Sequence, residues 1–151
     1  MTTRQRNIGI NSIAAFLILL FSYTAFSKLF SIHQFQFSLK MSPLLRYQAS
    51  LISWTVTIAE LLVAGCLLIP KWRTLGLILS SILMLTFTMY IAYMVFALSK
   101  RNLPCSCGGV VSWLSWKSHL TFNTVSTAAA MIGSYWSATR RKEEPYPIVY
   151  T

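Results

Sequence analysis

A run of 25 residues without a charged side chain, residues 74–98, constrains the fold of this chain more than any other feature. A helix needs about 20 mainly apolar residues to cross the ~30 Å hydrocarbon core of a bilayer. Charged residues make up only 11% of the chain, whereas a soluble domain has about 25%. The sequence therefore predicts an integral membrane protein.

Four segments are predicted to cross the membrane as helices, giving an all-α integral membrane protein, a four-helix transmembrane bundle in a single domain, residues 1–151. The predicted spans are residues 8–30, 43–69, 74–98 and 117–139, the last stopping at Arg140, Arg141 and Lys142. In the second span, Ser42 is the expected N-cap, Pro43 the first helical residue and Pro70 the terminator. The first apolar run is longer than that of a signal peptide, so we interpret it as a retained span.

Two short segments between spans are predicted to lie at the membrane surface. In residues 31–42 apolar side chains alternate as in a strand, but a lone strand would leave its backbone groups unpaired. Helical spacing also fits, through Phe37, Met41 and Leu44 or Leu45. We therefore favour a short interfacial segment that lies on the bundle, and strand and helix both stay open as its form. The second segment, residues 110–116, closes a cysteine-containing loop, residues 99–116.

The net charge of +10 arises from 13 Lys and Arg residues that mostly flank the apolar runs. Cations in such positions meet lipid head groups, which argues against nucleic-acid binding. Four spans would place seven cations on the side of the termini and six on the other side. The six are Lys28, Lys40, Arg46, Lys100, Arg101 and Lys117.

The orientation follows from where the remaining cations cluster. The short loop around residues 71–73 is basic, and the polar tail, residues 140–151, starts with three adjacent cations. These clusters favour cytoplasmic termini in a bacterial inner membrane. The cysteine loop would then face the periplasm, where disulfides form and persist.

Cys105 and Cys107, separated by one residue, are the sharpest indication of chemistry. Thiol–disulfide exchange needs one sulfur to attack and a second to resolve the mixed disulfide. A ring closed over a single residue is strained and easily reduced, whereas a structural disulfide gains most by closing a long loop. A redox pair is therefore favoured, while a structural disulfide and a soft-metal site stay open. Cys66, near the far end of span two, is interpreted as a packing residue.

Three polar residues within the predicted spans complete the candidate site. Glu60 is predicted to relay a proton, bind a quinone head group or form a structural hydrogen bond. Its candidate partners are Ser22, Tyr23, Tyr90 and Asn123. His119 and Asn123 are four residues apart and share a helix face. His119 is expected either to transfer the protons of thiolate chemistry or to make an interhelical hydrogen bond.

Span three is rich in aromatic and Met residues. They are Phe87, Met89, Tyr90, Tyr93, Met94 and Phe96. We interpret them first as a packing surface, with a quinone pocket or a Met-based copper path as the less favoured interpretation.

Several of these features occur together in a pattern that resembles the MauE branch of the MauE/DoxX-like membrane proteins. The pattern comprises Pro104-Cys105-Ser106-Cys107-Gly108-Gly109, Ser115-Trp116-Lys117-Ser118-His119, Asn123, and Glu60 within Ile58-Ala59-Glu60-Leu61-Leu62. The resemblance extends over about residues 8–138. It implies a redox-associated inner-membrane protein with Cys105, Cys107, His119, Asn123 and Glu60 as the matched positions. It also implies a thioredoxin-like partner or a disulfide-containing substrate protein, because MauE is implicated in maturing the disulfide-rich subunit of methylamine dehydrogenase.

The leading hypothesis is a periplasm-facing thiol–disulfide redox protein that acts with such a partner and passes electrons to a membrane quinone. One alternative is a non-catalytic membrane subunit or scaffold of a larger complex, with a structural disulfide between the two loop cysteines. A second alternative is a copper-handling protein that uses Cys105, Cys107 and His119 as soft ligands.

Overall fold

A computed structural model describes residues 3–42, 45–97 and 116–143 of the chain, and all regular structure within these ranges is helical. The α-helices are α1 (Thr3–Phe30), α2 (Ile32–Met41), α3 (Ala49–Leu68), α4 (Arg73–Ala97) and α5 (Trp116–Glu143). Single turns of 3₁₀ helix, Arg46–Gln48 and Pro70–Trp72, precede α3 and α4. The prediction of an all-α protein is confirmed.

Three helical segments have the length and apolar composition that a membrane crossing requires. They are Arg4–Phe30, Arg46–Leu68 and Pro70–Phe96, which correspond to α1, α3 and α4. The protein is therefore a multi-pass membrane protein. The predicted fourth span forms α5, which is 28 residues long. Its described residues are not apolar enough for it to count among the candidate membrane-spanning helices. A fourth crossing stays a prediction.

Three hydroxyl groups of α5 face hydroxyl groups of α4. Pairs of hydroxyl oxygens join the two helices at Thr74–Ser137 (2.8 Å), Ser81–Ser134 (3.4 Å) and Thr88–Thr127 (2.8 Å). Rising residue numbers on α4 meet falling numbers on α5, so the helices are antiparallel. Small and hydroxylated residues of this kind are typical of helix interfaces within membranes.

Two glycines allow the helix backbones to approach each other closely. A Cβ atom on Gly76 of α4 would lie 2.9 Å from the backbone nitrogen of Leu67 of α3. A Cβ atom on Gly133 of α5 would lie 3.0 Å from Cγ2 of Ile13 of α1. The α3–α4 hairpin and the α1–α5 contact therefore depend on the absence of side chains at these positions.

The distribution of side chains also fits a lipid environment. Large apolar residues such as Leu19, Leu62 and Ile82 are exposed, while Ser53 and Thr57 are fully buried. The hydroxyl of Thr57 donates to the carbonyl oxygen of Ser53 one turn earlier, at 2.8 Å. The hydroxyl of Thr57 is thus satisfied within its own helix, and large apolar side chains remain on the outer surface to face lipid.

The segment between α1 and α3 differs from the sequence prediction in two respects. Residues 32–41 are helical, which is one of the two forms left open, but Phe35 and Leu39 are the buried apolar residues, while Phe37 and Met41 are exposed. The helical spacing through Phe37 and Met41 therefore does not mark the buried face. A helix over these residues has two apolar stripes, one with Phe35 and Leu39 and one with Phe37 and Met41. The stripe with Phe35 and Leu39 is buried because it packs against α3.

The predicted start of the second span is also wrong. Ser42 is the C-cap of α2, with an extended backbone (ψ 128°), and α3 begins only at Ala49. A residue that precedes proline is disfavoured in the α region, so Pro43 favours the end of α2 rather than the start of α3. The same restriction explains the end of α3. Ile69, which precedes Pro70, is extended (ψ 115°), and α3 ends at Leu68, so the predicted termination at Pro70 is confirmed.

The remaining boundaries agree with the predictions in part. The ends of α1 and α4 lie within one residue of the predicted ends, at Phe30 and Ala97. The fifth helix does not stop at the cations of residues 140–142 but continues to Glu143. The predicted cysteine loop and second surface segment lie outside the described residues, except for Trp116, which begins α5.

Candidate functional site

A buried charge pair connects α1 and α3. The Nζ atom of Lys28 donates a hydrogen bond to Oε1 of Glu60 at 2.5 Å, and Glu60 is only 1% exposed. The partner of Glu60 is therefore a cation on the first helix, which is not among the four partners predicted from the sequence. Charges inside a bundle are stable only when they are paired, so the two residues explain each other's presence.

Lys28, predicted from the sequence only to be among the cations on the cysteine side, is buried, with 9% of its surface exposed. It lies in the last turn of α1, where the helix dipole stabilises a positive charge. Its Nζ atom is 5.6 Å from the ring centroid of Phe35 on α2 and 5.4 Å from that of Phe87 on α4. Within this range an ammonium group is attracted to an aromatic face. Lys28 thus interacts with three other helices.

Lys28 and Glu60 line a cavity of about 770 Å³, and so do His119 and Asn123 of α5. The structure therefore brings together three of the five residues predicted for the site and adds Lys28 to them. The roles of these residues remain predictions. Lys28 had one signal in the sequence: an acidic residue within a membrane span needs a cation, and Lys28 lies within a long apolar run of its own.

Two polar atoms at this site are buried without a hydrogen-bond partner among the described residues. They are Oε2 of Glu60 and Nδ1 of His119. Thr24 also approaches the Glu60 carboxyl group, but its hydroxyl donates to the carbonyl oxygen of Phe21 at 3.2 Å. The charge of Lys28 acts on the His119 imidazole as well. The site therefore holds free hydrogen-bonding capacity next to a cation.

Asn123 makes a local hydrogen bond. Its Nδ2 atom donates to the carbonyl oxygen of His119 at 3.0 Å, one turn earlier in α5. This contact lies near the start of α5 and joins the side chain of Asn123 to the backbone of His119. Asn123 therefore helps to define the position of the first turn of α5, from which His119 faces the cavity.

The aromatic and Met residues of α4 divide into two groups. Phe87, Met89, Tyr90 and Tyr93 line the cavity. Met94 is buried instead, with its sulfur 4.0 Å from the hydroxyl of Ser42, and Phe96 is exposed. The packing interpretation thus holds for Met94, whereas four of the six predicted residues are walls of a cavity.

The cavity lies at the end of the bundle where α1 and α4 end and where α3 and α5 begin. The chain segment 98–115 leaves α4 and enters α5 at this same end. Cys105 and Cys107 belong to that segment and lie outside the described residues. Cys66 is a free, half-buried thiol near the opposite end of α3.

Among residues 3–42, 45–97 and 116–143 there is no cluster of three His, Cys, Asp or Glu side chains that could hold a metal ion. The copper hypothesis depends on Cys105 and Cys107, which are not in those ranges. It therefore stays a prediction.

The comparisons with known proteins identify the family. Residues 6–136 match the family model described as "Methylamine utilisation protein MauE". No curated protein and no solved structure matches the chain. Because the family model covers most of the sequence, this chain belongs to the MauE family.

Proposed function

We propose that this protein is a membrane accessory protein that carries out thiol–disulfide exchange through Cys105 and Cys107 on a thioredoxin-like or disulfide-containing periplasmic protein. One observation carries the proposal. The two helices that bound the cysteine segment, α4 and α5, also wall the cavity that contains the Lys28–Glu60 pair and His119. Groups able to hold or move protons thus lie at the end of the bundle to which the thiols are attached.

The proposed exchange is a two-electron reaction. A thiolate of the partner attacks the Cys105–Cys107 disulfide and forms a mixed disulfide, and one loop thiolate leaves and takes up a proton. The second partner thiolate then displaces the other loop cysteine, so the partner becomes oxidised and the pair becomes a dithiol. Reoxidation releases two electrons and two protons, which pass to a membrane quinone and give the quinol. His119 is the candidate proton carrier because its Nδ1 atom has no partner among the described residues.

The proposed orientation places both termini in the cytoplasm of a bacterial cell and the cysteine segment in the periplasm, with α5 as a fourth crossing. The burial of Lys28 supports it. Without Lys28, five cations rather than six remain on the cysteine side, against seven on the side of the termini. The cationic asymmetry therefore follows the positive-inside rule more clearly than the sequence alone suggested.

The test uses the purified full chain, oxidised, with reduced thioredoxin as the probe. Wild type should oxidise reduced thioredoxin. For trapping, Cys105→Ser and Cys107→Ser are each first converted with Ellman's reagent to the mixed disulfide between the remaining loop cysteine and thionitrobenzoate. A reduced thioredoxin that keeps only its attacking cysteine should then displace thionitrobenzoate and stay attached until a reducing agent releases it, because no second thiol is present to resolve the bond. Cys66→Ser is the matched control and should behave as the wild type, since Cys66 lies toward the other end of α3. Absence of any adduct and of any thioredoxin oxidation by the wild type would favour the scaffold hypothesis.

A further inference from the structure

We propose that the cavity around the Lys28–Glu60 pair binds the ring of a membrane-soluble quinone, with Lys28 and Glu60 as the groups that recognise it. The inference deepens the proposed function by assigning the electron acceptor to a site. Binding itself requires neither Cys105 nor Cys107, so the two proposals can fail separately.

The size and lining of the cavity fit a ring with an apolar tail. Cavities that hold small molecules typically measure about 300–1,000 Å³ and are lined mainly by apolar side chains with a few convergent polar groups. This one measures about 770 Å³, and most of its walls are aliphatic or aromatic. Residues of α1, α3 and α4, the three helices that can span a membrane, form most of its lining, so it lies where a ligand that dissolves in the bilayer is at hand.

The polar groups select the chemistry of the ligand. An ammonium group has three N–H donors, and the structure shows Lys28 donating one of them, to Glu60, among the described residues. Oε2 of Glu60 is a free acceptor there, and Nδ1 of His119, which also has no partner among the described residues, donates or accepts according to the tautomer of the imidazole. The site thus offers donors and acceptors together. A quinone carbonyl accepts hydrogen bonds and a quinol hydroxyl donates them, so both redox states of this ligand class match the site.

Other ligands that dissolve in the bilayer match the site less well. A simple hydrocarbon tail would use neither the remaining donors of Lys28 nor the acceptor Oε2 of Glu60, whereas a quinone can accept from Lys28 and a quinol can also donate to Glu60. A fatty acid would bring a second carboxylate next to Glu60 and compete with it for Lys28. A neutral ring with carbonyl oxygens uses the free donors of Lys28 without breaking the ion pair.

The aromatic walls add a preference for a flat ligand. The ring centroids of Phe35 and Phe87 lie 5.6 Å and 5.4 Å from the Lys28 ammonium nitrogen. Tyr90, Tyr93 and Phe122 also line the cavity. Aromatic faces and edges pack favourably against a planar ring at offset or edge-to-face geometries.

The experiment measures photolabelling by an azidoquinone in phosphatidylcholine nanodiscs that contain the purified full chain. We expect labelling within α1, α3 or α4, and competition by decylubiquinone but not by decanol or decanoate. Decanol tests for an apolar tail alone, and decanoate tests for a carboxylate. Equal competition by either of them would overturn the proposal.

Two pairs of variants locate the site. Val56→Phe fills the cavity from α3, whereas Leu62→Phe enlarges an exposed residue of the same helix. Lys28→Met removes the recognising cation, whereas Lys40→Met removes an exposed one. Val56→Phe fills the space that the ring would occupy, and Lys28→Met removes a hydrogen bond from a charged group to the ligand. Each variant should therefore raise the decylubiquinone concentration needed for half-maximal competition by roughly ten-fold or more. Both controls should match the wild type.

A further variant distinguishes a loss of quinone binding from a loss of folding. Lys28→Met/Glu60→Leu removes both charges, so it leaves no unpaired charge behind and should fold while losing quinone binding. Wild-type competition in this folded variant would overturn the proposal. The Cys105→Ser/Cys107→Ser variant should keep full binding, so that a failure of thiol exchange alone would not affect this inference.

Discussion

At the scale of single residues, Lys28 and Glu60 determine the character of the bundle interior. They are 32 positions apart in sequence, and each would be an isolated charge in an apolar helix if the other were absent. Replacing a buried ion pair with apolar residues is often neutral, whereas removing one partner leaves an uncompensated charge. The pair is therefore both a structural element and a candidate for ligand recognition.

The first prediction separates these contributions by a double-mutant cycle. Lys28→Met should lower the free energy of unfolding by roughly 3–5 kcal/mol, because Glu60 is left buried without its counter-charge. Lys28→Met/Glu60→Leu should recover most of this loss. The measurement is denaturant unfolding in detergent micelles, followed by circular dichroism.

Lys40→Met provides the control for the charge change, because Lys40 is exposed on α2. A Lys28→Met protein as stable as the wild type would contradict the buried pair. Equal loss in the single and double variants would show instead that the packing of the Lys28 side chain matters more than its charge.

At the scale of helices, close backbone contact and paired hydroxyls hold the bundle together. The α4–α5 interface consists of hydroxyl pairs, and the α3–α4 hairpin brings Gly76 against the backbone of Leu67. Lipid tails are as apolar as the helices, so association within the bilayer depends on such close packing and interhelical hydrogen bonds. Small side chains at these contacts therefore contribute more to the association of the helices than large apolar side chains do.

The second prediction concerns this hairpin. Gly76→Ala should destabilise the protein by about 1–3 kcal/mol, as overpacking commonly does, because the new Cβ would lie 2.9 Å from the Leu67 backbone nitrogen. Gly65→Ala is the matched control, since no atom lies within 4 Å of a Cβ at that position of α3. Thermal unfolding in detergent distinguishes the two. If both variants lost equal stability, the close approach at Gly76 would not be the cause.

At the scale of the whole molecule, the helices enclose a mainly apolar cavity with the Lys28–Glu60 pair in its wall at one end of the bundle, and the cysteine segment is attached at the same end. Cys66 lies toward the other end. The arrangement predicts that the loop cysteines, Cys105 and Cys107, lie on the opposite side of the membrane from Cys66 or at a different depth within it.

The third prediction follows from that arrangement. In intact spheroplasts treated with a reducing agent, a membrane-impermeant maleimide should label Cys105 and Cys107 and leave Cys66 unmodified, as measured by peptide mass spectrometry. The variant Cys105→Ser/Cys107→Ser, which retains Cys66, gives the background. Labelling of the loop cysteines only after membrane lysis would reverse the proposed orientation.

Local physical rules were sufficient for much of the fold. Apolar runs with few charged residues, long enough to cross a bilayer, predict α1, α3 and α4, and the conformational restriction before Pro70 predicts the end of α3. Glu60, His119 and Asn123 also stand out in the sequence, because polar groups within apolar helices need partners. These inferences depend only on neighbouring residues, so the sequence by itself determined them.

Contacts between distant segments decided the rest. Lys28 follows an apolar run like any head-group cation, and only the packing of α1 against α3 directs it to Glu60. The helical spacing of α2 permits two apolar stripes, and its position on α3 buries the one with Phe35. Whether aromatic side chains of α4 fill a core or wall a cavity depends on how far α2 and α5 stand from them. Such distances arise from the packing of whole helices, which is why only the tertiary structure could establish the site.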